Sequence, residues 1–223
     1  MEKMISRSHL SIVVMLGSVW GLSEAALGMG LQSCASLVSR SLMTGAALFF
    51  IAASWVVTRR IFGVALLIII ASLFKMFDAL LLSLPIRHGA IGNPIFAFFM
   101  EGIAFLILVM IFKQTFKRKK SGQALLGGTS AFAAAGLFPL VRFATGIPAC
   151  VYPGTSIPLS IYFAPLAIVF SLFTVPLGFR AGERLKGKAF QQNEQKRPKI
   201  MNHLISPAIL FVCLAIATLI RQF

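Results

Sequence analysis

Residues 61–85 read IFGVALLIIIASLFKMFDALLLSLP, a run in which Lys75 and Asp78 are the only charged side chains. A water-facing helix keeps a polar stripe on one side, and this run leaves none. At 1.5 Å rise per residue, about 20 apolar residues cross roughly 30 Å of hydrocarbon, and the run exceeds that length. It also lacks the alternation of a barrel strand, so a helix is the form that satisfies its backbone N–H and C=O groups in lipid. The stretch is therefore a membrane-spanning helix that carries a cation and an anion at i, i+3 spacing, where the two side chains meet.

Further apolar runs lie on both sides, at residues 10–32, 41–58, 94–112, 123–143, 159–179 and 204–220. The 223 residues are 58% hydrophobic and only 12% charged, too few to give a soluble fold a polar surface. The expected fold is all-α: a polytopic integral membrane protein with a six-helix bundle over residues 1–182, a basic linker over 183–202 and a seventh transmembrane helix over 203–223. The first run follows a basic start but is long and contains Glu24, which favours a retained helix over a cleaved signal.

A formal charge of +15 would suggest a nucleic-acid partner in a soluble protein. Here the basic residues sit in short connections between apolar runs, so they set topology and no nucleic-acid surface is expected. Sixteen fall on one side: Lys3, Arg7, Arg59, Arg60, Lys113, Lys117, Arg118, Lys119, Lys120, Arg180, Arg184, Lys186, Lys188, Lys196, Arg197 and Lys199. Four fall on the other, namely Arg40, Arg87, Arg142 and Arg221. By the positive-inside bias the rich side, and with it the N-terminus, is cytoplasmic, in the inner membrane of a bacterium or archaeon.

Known enzyme chemistry finds little purchase. The sequence has no H-E-x-x-H, no G-x-S-x-G and no P-loop, and its three histidines and three cysteines lack metal-ligand spacing. No catalytic residue, cofactor or metal site is expected. Cys34 and Cys150 both fall on the outer side, close enough in topology for a disulfide between the first and fifth connections.

Ionisable groups at bilayer depth cost several kcal/mol unless paired or hydrated, which makes Glu24, Lys75, Asp78 and Glu101 the candidate functional residues. Counted from the expected span ends, the three carboxylates lie roughly 10 to 12 Å below the outer surface. Two readings stand. In one, Lys75 and Asp78 neutralise each other and the glutamates are hydrogen-bonded helix glue. In the other, Glu24, Asp78 and Glu101 line a polar cavity open to the outside, beneath Gly- and Pro-rich connections at 86–94 and 145–158 that form a lid.

On helix 1, Gly17, Gly21 and Ala25 form a small-x-x-x-small face. With a six-helix body and an N-in orientation, the chain over residues 10–179 resembles the substrate-binding S components of energy-coupling factor (ECF) transporters. The resemblance implies capture of a small solute near the outer surface, with Gly17, Gly21 and Ala25 docking on a transmembrane coupling subunit that works with an ATPase pair. It also implies a ligand site between helices 4 to 6, which would place Asn93, Glu101, Arg142, Tyr152 and Tyr162 near the ligand. The seventh helix and Glu24 beside the docking face depart from the family's pattern. Three functions follow as expectations: a transport subunit binding a small polar or cationic solute from outside, a self-sufficient proton- or cation-coupled transporter, or a non-transport subunit of a membrane complex.

Overall fold

The computed structural model describes residues 7–28, 37–85, 88–112, 119–146, 151, 154–194 and 199–222. The helices are α1 (Arg7–Gly28), α2 (Leu37–Thr58), α3 (Ile61–Leu81), α4 (Gly89–Ile111), α5 (Lys120–Leu137), α6 (Val141–Thr145), α7 (Leu159–Glu194) and α8 (Lys199–Gln222). Among the described residues the only strand-like pairing is one bridge between Val151 and Pro158. Six stretches are long and apolar enough to cross a membrane: Ser8–Ala26, Val38–Thr58, Ile61–Leu81, Gly89–Ile111, Lys120–Thr145 and Leu159–Gly187. The protein is a multi-pass helical membrane protein.

The ends of the helices follow local chemistry. Arg59 takes a left-handed conformation (φ 53°) and Arg60 an extended one, so α2 reverses into α3 within two residues. Ser54 Oγ then donates to the Gly63 carbonyl at 3.0 Å, and a β-carbon at Gly63 would collide with Thr58. Pro139, lacking an N–H, sits in a single 3₁₀ turn (Phe138–Leu140) that separates α5 from the short α6.

Lipid gives no hydrophobic drive between spans, so close backbone approach at small residues decides which helices touch. The most extensive seam joins α2 to α7, where Gly178 and Gly182 lie against the Phe49 and Ala53 carbonyls. On its other side α7 receives α5, with Gly127 against the Ser171 carbonyl. The core fills the space between them with Trp20, Leu48, Ile51, Leu67, Phe105 and Phe179, all buried.

Three features differ from the sequence expectation. Helix α4 begins at Gly89, five residues before Pro94, because His88 caps it: its Nδ1 accepts the Ala90 N–H at 3.3 Å. Pro94 therefore lies inside the helix, in its second turn, where its missing N–H leaves the Ala90 carbonyl without its i+4 donor. The basic segment 183–202 is mostly helical, since α7 runs to Glu194 and α8 starts at Lys199. Helix α8 contains an apolar stretch of only 14 residues, Pro207–Ile220, shorter than the other six spans. It nevertheless packs on the body, where Cys213 joins Ile70 and Phe74 of α3, with Val14 and Leu22 of α1 alongside.

Candidate functional site

Helices α1 to α4 converge on one buried polar group. From α1 come Trp20 and Glu24, one turn apart, and the indole N–H donates to Glu24 Oε1 at 3.3 Å. The indole is fully buried and held from both sides, by the Phe50 ring of α2 at 6.3 Å and the Phe98 ring of α4 at 4.8 Å. That clamp fixes the direction in which Glu24 receives its donor. The second carboxyl oxygen, Glu24 Oε2, is buried and has no hydrogen-bond partner among the described residues.

From α3 come Lys75 and Asp78, whose Nζ and Oδ2 lie 3.4 Å apart with both side chains buried. The ion pair expected from the i, i+3 spacing is present. From α4 comes Glu101, 5% exposed, with the Thr44 hydroxyl of α2 close to it. Glu24 lies within the electrostatic reach of Lys75, Asp78 and Glu101, so the four ionisable groups form a single cluster.

The charge balance of the cluster is uneven. Lys75 answers Asp78 within one turn of helix, whereas Glu24 and Glu101 make no ion pair among the described residues. A buried carboxyl without a counter-charge needs a proton, a cation or water to balance it. Among the described residues no group of three His, Cys, Asp or Glu side chains is arranged to hold a metal ion.

The cavity expected to open outward is closed at this level. Trp20, Glu24, Asp78 and Glu101 are all buried, so solvent does not reach them in this conformation. Because α4 starts earlier than expected, Glu101 stands farther from the start of its helix than the sequence reading gives. Along their own helices Glu24 lies about 6 Å and Asp78 about 5 Å from the described helix ends, while Glu101 lies about 18 Å from the start of α4.

The remaining candidates separate. Asn93 is half-buried on α4, two turns before Glu101, and its Oδ1 is buried without a partner among the described residues. Arg142 on α6 and Tyr162 at the start of α7 are exposed, outside the buried cluster. Tyr152, Cys34 and Cys150 lie outside the described residues. Gly17, Gly21 and Ala25, expected to dock a partner, are buried inside this chain. A β-carbon at Gly17 would stand 2.9 Å from Ile70, and one at Gly21 would meet the Phe74 ring, so α3 fills that face.

Sequence reasoning missed Thr44, Phe50 and Phe98. Their contacts cross between helices and leave no local signal. The Trp20–Glu24 bond did have one, the i, i+4 spacing of a donor and an acceptor. Comparison with known protein families, with curated proteins and with solved structures finds no match.

Proposed function

We propose that this protein is a membrane transport subunit that binds a small cationic solute at the buried group around Glu24 and Glu101. One observation carries the reading: Glu24 accepts from Trp20 through one oxygen while the other, buried, has no partner among the described residues. A buried carboxyl oxygen left unanswered is costly, and a bound cation would answer it. The charge distribution supports a cytoplasmic N-terminus in a bacterial or archaeal inner membrane. Helix α8, at 24 residues, is about 36 Å long and makes a seventh crossing if its polar ends sit among the headgroups.

A second reading, a self-sufficient proton- or cation-coupled transporter, is favoured by the coupling of Glu24 to Glu101 and by α3 filling the Gly17–Gly21 face. That filling removes the surface an S-component-like subunit would offer to a coupling protein. Purification from native membranes separates the two: a stoichiometric ATPase pair supports the first, and proton-driven uptake by the lone chain in proteoliposomes supports the second. For the site itself, a thermal-shift screen against small organic amines should find a stabilising cation whose effect disappears in Glu101→Gln. Equal stabilisation of the wild type and the variant by every such cation would refute the site. Topology is tested in a cysteine-free background: Ser156→Cys should react with an impermeant thiol reagent in intact cells, and Lys120→Cys should not.

A further inference from the structure

A second feature, apolar along its length and cationic at one end, lies away from the carboxylate cluster. A furrow of about 370 Å³ runs between α5 and α7. Its wall on α7 is formed by Phe173, Pro176, Leu177 and Arg180, which recur at i, i+3, i+4 and i+7 and so share one face of the helix. Phe173 and Leu177 are exposed, as befits side chains that meet lipid.

The other end of the furrow is cationic. Lys120, the first residue of α5, lines it together with Ser121 and Arg180. Both cations are exposed, and neither forms an ion pair among the described residues, although Glu183 stands one turn beyond Arg180. The N-terminus of α5 also opens here with no side-chain cap on its first-turn N–H groups. Uncapped N–H groups and the positive end of the helix dipole attract an anionic oxygen. In sequence the same end is preceded by Lys117, Arg118 and Lys119.

We infer that this furrow is a binding site for an anionic phospholipid, with the headgroup phosphate between Lys120, Arg180 and the start of α5, and an acyl chain along Phe173 and Leu177. A neutral lipid meets the same apolar wall, but its headgroup carries a positive charge into a place that already has two. A free inorganic anion would use the cationic end and leave the apolar wall unused.

The test uses the delipidated full chain and native mass spectrometry, titrated with phosphatidylglycerol or with phosphatidylcholine of the same acyl chains. The wild type should prefer phosphatidylglycerol about thirtyfold, which at 1.4 kcal/mol per decade corresponds to roughly 1 kcal/mol for each cation. The Lys120→Gln, Arg180→Gln double variant should bring the two lipids near parity, and Arg59→Gln, a basic change outside the furrow, should leave the preference intact. Leu177→Trp fills the furrow and keeps both cations, so it should weaken phosphatidylglycerol binding even if the double variant does not fold. An unchanged preference in the double variant, or unchanged binding in Leu177→Trp, overturns the inference. So does displacement of phosphatidylglycerol by inorganic phosphate as readily as by more lipid, which would assign the cations to a free anion.

Discussion

Asp78 and Glu24 are buried carboxyl groups on adjacent helices, and they are balanced in different ways. Asp78 meets Lys75 one turn away on the same helix, at 3.4 Å, so α3 carries its own compensation wherever it packs. Glu24 has an indole N–H on one oxygen and no partner for the other among the described residues, and Glu101 across the bundle makes no ion pair among them either. A group that is neutralised locally is a structural element and has little left to offer a ligand. A group that depends on three other helices for its surroundings changes its environment whenever those helices move, which is what a transport site requires.

The sharpest way to break this contrast is to remove one half of the ion pair. Asp78→Ala strands Lys75 and should destabilise the protein by about 3 to 5 kcal/mol, whereas adding Lys75→Leu should recover most of the loss. Thermal unfolding in detergent measures both. Equal stability of the single and double variants would show that the pair is not the compensation described.

A smaller loss is expected at the indole. Trp20→Phe keeps a ring between Phe50 and Phe98 but removes the donor to Glu24 Oε1, at a cost of about 1 to 3 kcal/mol. Combining it with Glu24→Leu should be less than additive, because the second change removes the carboxyl that the first leaves unpaired. Additive losses would mean that the indole acts through its bulk alone.

The smallest effect on stability belongs to Glu101→Gln, and it sharpens the comparison from the other side. The amide keeps the size and can still bond to Thr44, so the unfolding midpoint should correspond to a change of less than about 1 kcal/mol. Solute-dependent stabilisation or transport should nevertheless be lost. A large drop in stability with function retained would make Glu101 helix glue, like the Lys75–Asp78 pair.

Much of this was legible along the chain. Six of the spans follow from length and hydropathy, because in lipid every backbone group must be satisfied within its own helix. The Lys75–Asp78 pair follows from i, i+3 geometry, and Glu24 and Glu101 stand out by the cost of ionisable groups at that depth. The start of α4 was misplaced because Pro94 reads as a beginning, whereas the His88 cap five residues upstream sets it. The exposure of Arg142 and Tyr162, apart from the buried cluster, is a tertiary fact that no local pattern carries.

The sequence by itself determined what each segment is: apolar over a bilayer's width, basic at one set of connections, with three carboxyl groups and one ammonium in the membrane. The tertiary structure alone decided which segments are neighbours. Only there does the Gly17–Gly21 face turn out to be filled by Ile70 and Phe74, α8 to lie along α1 and α3, and Glu24 to stand in the field of Glu101. The physical reason is that spanning is imposed on each helix separately by the lipid, while helix pairing has no hydrophobic driving force and is settled by close packing between residues far apart in the chain.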